Sequence, residues 1–174
     1  MFAKSDFQHS FLDFPDPSGS SVSVFFYGCP HNCENCHNKE MTTLENLNVE
    51  RAISDPKELL ERLTKHCRRC RTDRVVLMGG EPLSPANIEG VKTFLKLAKN
   101  KLEICIYTGY NISHVTRNEI KHFKYVKTGG YKHSKKVVSE KTDDYFQLAS
   151  TNQKIYDNDL KLLTERGKFV FNRK

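Results

Sequence analysis

The chain has 174 residues, of which 37% are apolar and 28% are charged, and its formal net charge is +7. A chain of this length suits one domain that buries about two-thirds of its unfolded surface. No apolar run of about 18 residues occurs, so we expect no membrane-spanning helix. The N-terminus also lacks the apolar region of a signal peptide. We therefore expect a cytoplasmic protein, in which clustered cysteines serve metal binding or catalysis rather than disulfides.

The excess of positive charge has two interpretations. It suits a nucleic acid, an acidic partner or an anionic small molecule. It equally suits a solvated, lysine-rich surface, because the basic residues are spread along the chain rather than gathered in one block. Charge alone therefore does not predict nucleic-acid binding.

The first part of the chain is predicted to be irregular up to residue 21, where the first strand begins. Residues 13–20 have the composition of turns. Four phenylalanines precede the strand and are expected to cover one end of the core: Phe2, Phe7, Phe11 and Phe14.

Short apolar runs then alternate with helical patterns. Asp55 and Pro56 predict the start of a helix, with Asp55 as its N-cap and Pro56 as its first residue. This helix is expected to end at about Cys67. A second helix should open at 84–85 and a third should run from about 112 to 120. The predicted strands are 22–27, 74–78, 102–107, 123–127 and a final strand at 168–171.

This alternation predicts an α/β fold with a parallel sheet and right-handed crossovers. Four β/α units fall short of the closed eight-fold barrel of about 250 residues, so we expect an open, partial (β/α) barrel. We predict a single domain, 1–174, with its core units at about 22–127 and an irregular C-terminal part at 128–174.

The most informative stretch is 28–38, which follows the first predicted strand and contains Cys29, Cys33 and Cys36. Thiolates select iron–sulfur clusters, zinc or copper(I). Structural zinc needs a fourth ligand, for which His31, His37 or the Cys67/Cys70 pair are candidates. A cubane iron–sulfur cluster suits three cysteines when one iron is left open to bind a substrate or cofactor. Both interpretations follow from the residues alone.

Two motifs together resemble the radical S-adenosylmethionine superfamily. Cys29-x3-Cys33-x2-Cys36 follows the first predicted strand, and Gly79-Gly80-Glu81-Pro82 follows the second. The resemblance implies that the cysteines hold a 4Fe-4S cluster whose open iron chelates the amino and carboxylate groups of S-adenosylmethionine. It also implies that the Gly-Gly-Glu-Pro stretch lines the methionine amino group, where glycine permits close backbone approach.

Three further segments resemble the activating enzymes of glycyl-radical enzymes, in particular those that activate anaerobic ribonucleotide reductase. They are Cys36-His37-Asn38, the 106–110 strand end and the 149–155 segment. The sequence departs from the superfamily pattern at two places. Asn35 stands where many members carry an aromatic residue, and residues 126–129 lack the acidic residue that some relatives have for the cofactor ribose. The implied cofactor contacts are Asn35, His37, Asn38, Gly79, Gly80, Glu81, Tyr107 and Lys127.

The implied activity is reductive cleavage of S-adenosylmethionine to methionine and a 5'-deoxyadenosyl radical, which takes hydrogen from a glycine in the reductase's glycyl-radical loop. An external low-potential electron donor is implied, and no side chain is assigned as acid or base. The alternatives are an activase of another glycyl-radical enzyme such as pyruvate formate-lyase, or a small-molecule radical enzyme such as a deazapurine synthase. A zinc-bound, basic nucleic-acid-binding module is the more distant alternative, because it leaves residues 79–82 unexplained.

The remaining cysteines and lysines have simpler interpretations. Cys67 and Cys70 are expected to share one face of a helix. They are interpreted either as a redox pair or extra metal ligands, or as structural residues at the end of the helix. Cys105 alternates with isoleucines and is expected in the core. Lysines of the 131–144 segment either attract an acidic partner or form a solvated loop: Lys132, Lys135, Lys136 and Lys141.

Overall fold

The computed structural model describes residues 1–16, 20–45, 47, 49–137, 148–165 and 168–169. Its α-helices are α1 (Pro56–Cys70), α2 (Ile88–Ala98) and α3 (Ile112–Arg117). None of the helices in this described part combines the length and apolar character needed to span a bilayer. The strands are β1 (Ala3–Lys4), β2 (Gln8–Ser10), β3 (Ser21–Phe26), β4 (Ala52–Ile53), β5 (Arg74–Gly79), β6 (Glu103–Tyr107), β7 (Tyr125–Thr128), β8 (Lys154–Asp157), β9 (Thr164–Glu165) and β10 (Lys168–Phe169).

Four parallel strands form the centre of the main sheet. Strands β3, β5, β6 and β7 pair in that order, and α1, α2 and α3 lie in the three connections between them. The predicted alternation of strands and helices is therefore confirmed. Because the four strands are parallel, their C-terminal ends and the loops that follow them meet at one edge of the sheet.

The two faces of the sheet have different surroundings, because successive strand residues point to opposite sides. Val24, Leu77 and Ile106 are buried in the cluster that contains the helices α1 and α2. On the other face, Val76 and Cys105 form a smaller cluster, joined by half-buried side chains nearer the strand ends. Those half-buried side chains are Met78, Tyr107 and Tyr125. The expected core position of Cys105 is confirmed.

The start of α1 agrees with its sequence signals. The Asp55 carboxylate accepts a hydrogen bond from the Lys57 N–H at 3.0 Å, and Pro56 is the first helical residue. The helix ends at Cys70, one turn later than predicted, where Arg71 takes a left-handed conformation. The Arg71 N–H donates to the carbonyls of Cys67 and Arg68, which satisfies acceptors in the last turn of the helix.

The predicted start of α2 at 84–85 is wrong, because the helix begins at Ile88. The preceding residues form turns around the buried Asn87 side chain. Its amide group donates to the Tyr27 carbonyl at 2.7 Å and to the Glu81 carbonyl at 3.0 Å. These bonds tie the chain to the ends of β3 and β5 before the helix starts. Helix α3 ends at Arg117, before its predicted end at about residue 120.

The N-terminal segment is more regular than predicted. Strands β1 and β2 both pair antiparallel with β3, with Ala3 opposite Phe26 and His9 opposite Val22. Runs of two or three residues carry too little periodicity to be recognised from sequence. Phe14 is buried as expected, whereas Phe11 is 72% exposed, so its predicted core role is wrong.

The C-terminal part also contains a strand that was not predicted. Strand β8 pairs antiparallel with β7, so the segment expected to be irregular completes the sheet edge. The predicted final strand starts at Lys168 and pairs with β9. Its residues 170–171, and Lys141 with the rest of 138–147, lie outside the described residues.

Within the described residues, the main sheet has eight strands in the order β4–β1–β3–β5–β6–β7–β8, with β2 on β3. This is a mixed α/β fold with an open sheet. The partial-barrel form and the single-domain division stay predictions.

Candidate functional site

A cavity of about 550 Å³ lies at the C-terminal edge of the parallel strands. This volume falls within the range of about 300–1,000 Å³ that small-molecule sites occupy. Segments that follow β3, β5, β6 and β7 contribute to its wall, together with residues before β8. The residues that line it include Cys29, His31, Cys33, Asn35, Cys36, His37, Asn38, Met78, Gly79, Gly80, Tyr107, Gly109, Lys127, Gly129, Gly130 and Gln153.

The cysteine loop is held in place by its backbone. Gly28 has a φ of +82° and donates its N–H to the Met41 carbonyl at 2.7 Å, and the Cys29 N–H donates to the Thr42 carbonyl at 2.9 Å. Asn32 and Asn35 also take positive φ values, which asparagine tolerates better than most residues. The loop therefore folds over the cavity, with its cysteines in the wall.

The structure brings the three predicted metal-binding cysteines together around the cavity. Cys29, Cys33 and Cys36 are all half-buried and line its wall. Cys67 lies buried on α1 and Cys105 lies buried in the sheet, as members of the core clusters. The six cysteines therefore divide into three at the cavity and three on the body of the fold.

Electrostatics at the cysteine loop favour a cationic occupant. The pKa of the Cys29 thiol is raised to about 11, mainly by burial; the charges of Glu81, Cys33 and Cys36 add to the rise, and a backbone hydrogen bond at His31 opposes it. Bound iron lowers a thiol pKa enough to deprotonate it. Among the described residues, no three His, Cys, Asp or Glu side chains are arranged as a ready site for a metal ion. The donor chemistry nonetheless fits an iron–sulfur cluster, in which each cysteine thiolate binds a different iron atom.

Gly79 and Gly80 form the part of the wall that follows β5, and both positions require glycine. Gly79 has a φ of +98°, and a Cβ there would lie 2.9 Å from Phe25 Cα. A Cβ on Gly80 would lie 2.5 Å from the Phe26 carbonyl oxygen and 2.9 Å from the Met41 carbonyl oxygen. The ends of β3 and β5 therefore approach each other more closely than a side chain allows.

We expect Gly80→Ala to lower the free energy of unfolding by about 3 kcal/mol, because both clashing atoms belong to backbone that cannot move away cheaply. Gly90→Ala is the matched control. The three atoms nearest to its Cβ, at 2.7–3.0 Å, belong to the Met1 side chain rather than to backbone, and alanine in a helix gains up to about 1 kcal/mol over glycine. Urea unfolding of the cluster-free protein measures both. Equal stabilities for the two variants would contradict the backbone clash.

Glu81 lies behind this wall rather than on it. Its side chain is 1% exposed, and one carboxylate oxygen accepts from the Gly109 N–H at 2.8 Å and lies 2.8 Å from His31 Nε2. The other oxygen accepts from the Leu83 N–H at 2.9 Å. Glu81 thus connects the cysteine loop to the ends of β5 and β6, and its predicted contact with the cofactor stays a prediction.

His31 is half-buried and packed, which leaves little freedom at the centre of the cysteine loop. Its ring lies edge-on to Tyr110 with centroids 4.5 Å apart, and Tyr110 stacks on His114 at 3.8 Å. A Cβ on Gly109 would lie 2.3 Å from His31 Cδ2. Glycine at 109 therefore makes room for the histidine ring. Tyr110 is engaged in these contacts.

Tyr107 and Lys127 enter the cavity as a cross-strand pair. They are register partners on β6 and β7, and Lys127 Nζ lies 4.1 Å from the centroid of the Tyr107 ring. The Tyr107 hydroxyl donates to the Asp13 carbonyl. Burial lowers the pKa of Lys127 to about 8, although the charges of Cys105 and Asp13 act in the opposite direction. The pair offers an aromatic ring and an amine to a ligand.

The lowered pKa of Lys127 predicts a specific pH dependence of stability. Its pKa is about 8 in the fold and about 10.5 when unfolded, so the unfolded chain binds more protons between these values and stability rises with pH there. Urea unfolding should show the wild type gaining on Lys127→Met above pH 8, by at most about 1.4 kcal/mol per pH unit. Exposed Lys96→Met is the control and should run parallel to the wild type. A constant difference between the wild type and Lys127→Met would contradict the lowered pKa.

The other predicted cofactor residues come from the cysteine loop. Asn35 and His37 are exposed and Asn38 is half-buried, and all three line the cavity. Asn35 Nδ2 lies 3.4 Å from His133 Nδ1, so the tip of the loop reaches the segment after β7. Gln153 also lines the cavity, a position that the sequence does not predict.

Comparison with known proteins agrees with this arrangement. The model of the 4Fe-4S single cluster domain family matches residues 16–156. The chain belongs to this family. The matched region of this 4Fe-4S single cluster domain includes the cysteine loop and the four central strands. Family membership supports one iron–sulfur cluster in the protein.

Individual relatives carry a more specific name. The chain is 28% identical over 149 residues to the anaerobic ribonucleoside-triphosphate reductase-activating protein of Enterobacteria phage T4, covering 84% of this chain and 89% of that protein. Proteins of the same name from Haemophilus influenzae and Vibrio cholerae are each 24% identical, over 110 and 107 residues. These matches cover 58% and 59% of this chain, and 65% and 66% of the two relatives. No solved structure matches the chain.

Proposed function

We propose that the chain is a radical S-adenosylmethionine enzyme that activates anaerobic ribonucleotide reductase by generating a glycyl radical on it. One observation carries the proposal: the three cysteines and Gly79–Gly80, which follow two neighbouring parallel strands, line a single cavity. The names of the relatives from phage T4 and two bacteria support the choice of reductase as the partner.

In this proposal, Cys29, Cys33 and Cys36 hold the 4Fe-4S cluster. A bound, reduced cluster would supply the electron for cleavage of S-adenosylmethionine to methionine and a 5'-deoxyadenosyl radical. The protein contributes binding, orientation and exclusion of water. A cytoplasmic setting suits these cysteines, because thiols stay reduced there.

The chain's own residues then divide between contact and support. Gly79 and Gly80 line the cavity at the end of β5 and are the candidates for backbone contacts with the methionine part of the cofactor. Asn35, His37, Asn38, Tyr107 and Lys127 line the remaining wall and are the candidates for contacts with the rest of the cofactor. Glu81 supports the site by holding His31 and the Gly109 N–H in place.

Anaerobic reconstitution followed by metal and product analysis tests the proposal. We expect iron and sulfide in the proportion of one 4Fe-4S cluster per chain, and methionine with 5'-deoxyadenosine when S-adenosylmethionine and a low-potential reductant are added. A colourless protein that holds zinc and no sulfide would contradict it and favour the zinc-bound module.

The partner is tested separately by adding the anaerobic reductase. A glycyl radical on the reductase supports the proposed partner. Formation of 5'-deoxyadenosine without that radical would instead indicate another substrate, either a different glycyl-radical enzyme such as pyruvate formate-lyase or a small molecule.

A further inference from the structure

A short segment before β8 holds the cavity wall through two side-chain amides. Gln153, which is 5% exposed, donates from Nε2 to the Gly129 carbonyl at 3.1 Å and accepts through Oε1 from the Ser150 N–H at 3.2 Å. Asn152 donates from Nδ2 to the Gly130 carbonyl at 2.9 Å. Two successive carbonyls of the wall are therefore bound by two successive amide side chains.

The wall that they hold lies beside the cysteine loop. Gly129 has a φ of +94° and donates its N–H to the Tyr110 carbonyl at 2.8 Å. A Cβ placed on Gly130 would lie 3.6 Å from Cys33 Sγ. Because two consecutive glycines have little conformational preference of their own, their path depends on the groups that bind them.

Side-chain amides suit this task for a physical reason. A primary amide donates and accepts at the same time, so Gln153 bridges the wall and its own segment in one step. Strand β8 fixes the position of both amides, because Lys154 follows Gln153 directly and pairs with Thr128. The two amides therefore lie just before β8, and the two glycines lie just after its neighbour β7.

We propose that Asn152 and Gln153 are positioning residues that set the shape of the cofactor cavity beside Cys33 and thereby its affinity for S-adenosylmethionine. This inference rests on the proposed function. The two residues act through the Gly129–Gly130 backbone, so their loss should weaken cofactor binding while the cysteines keep their cluster.

Neutral substitutions test this without adding charge near a cationic cofactor. Gln153→Met keeps the length of the side chain and removes both hydrogen bonds, and Asn152→Ala removes the donor to Gly130. Exposed Gln8→Met and Asn158→Ala are the matched controls. Titration of the reduced, reconstituted protein with S-adenosylmethionine, followed by the change in the cluster's electron paramagnetic resonance signal, measures the dissociation constant.

We expect both test variants to retain the cluster content of the wild type and to bind S-adenosylmethionine roughly tenfold more weakly. The controls should match the wild type. In the cluster-free protein, hydrogen exchange of the Gly129 amide should also become faster in Gln153→Met, because the path of the wall is no longer fixed.

The outcomes separate this inference from the proposed function. Wild-type affinity and exchange in both variants would overturn the inference alone. Loss of the cluster from both would also overturn it, since the segment would then hold the cysteine loop rather than the cavity. A wild type with no response to S-adenosylmethionine would overturn the proposed function and this inference with it. If Gln153→Met does not fold, the half-buried Asn152→Ala decides by the same readout.

Discussion

Cys29→Ala, Cys33→Ala and Cys36→Ala are each expected to abolish cluster retention and cleavage of S-adenosylmethionine. All three thiols line the same cavity, and removing one leaves an iron without its protein ligand. The iron and sulfide contents after anaerobic reconstitution measure retention, and 5'-deoxyadenosine measures cleavage. We expect both to fall to the background of the cluster-free protein.

Cys67→Ala and Cys105→Ala are the controls and should keep the cluster. Neither side chain lines the cavity, because Cys67 is buried on α1 and Cys105 is buried in the sheet. Their loss removes core contacts only. Cluster loss in Cys67→Ala would show that the ligand set is larger than three, and a full cluster in Cys33→Ala would contradict the assignment of that ligand.

The second large effect is expected at Glu81. Glu81→Ala leaves three buried or half-buried donors without their acceptor: His31 Nε2 and the N–H groups of Leu83 and Gly109. Each unsatisfied donor costs about 1–3 kcal/mol, so we expect the free energy of unfolding to fall by about 3 kcal/mol or more. Urea unfolding of the cluster-free protein, with the m-value unchanged, measures the loss.

Glu34→Ala is the matched control, because Glu34 belongs to the same cysteine loop but is exposed. Surface changes of this kind stay within about 0.5 kcal/mol. Glu81→Gln should lie between the two, since an amide has only one oxygen to serve donors on two sides. A Glu81→Ala protein as stable as the Glu34→Ala protein would contradict the supporting role.

The parts of the fold that could be predicted are those with a strong local signal. Strands β3 and β5 are runs of β-branched and apolar residues that end at glycine, and α1 begins with a capping aspartate and a proline. The start of α2 could not be predicted, because it depends on hydrogen bonds from the Asn87 side-chain amide to the carbonyls of Tyr27 and Glu81. Tyr27 is distant in the sequence, and Glu81 comes within reach only through the turns that precede the helix. Strands β1 and β2 are too short to show a period and form through pairing with β3, and β8 forms through pairing with β7.

The site shows the same division. The spacing of the cysteines and the Gly79–Gly80 pair, both at strand ends, sufficed to predict that these residues meet at one edge of the sheet. The sequence could not show that Glu81 turns away from the cavity toward His31, because that depends on the packing of three loops. Nor could it show that Gln153 binds the Gly129 carbonyl, a contact made only after β8 folds beside β7.

The most direct test of the central claim is electron paramagnetic resonance of the anaerobic reductase after incubation with the reconstituted protein, S-adenosylmethionine and reductant. We expect a glycyl radical doublet on the reductase, which collapses to a singlet when the reductase is made with glycine deuterated at Cα. The same mixture with the Cys33→Ala protein should give no signal. An intact cluster that forms 5'-deoxyadenosine while the reductase stays free of radical would contradict the account.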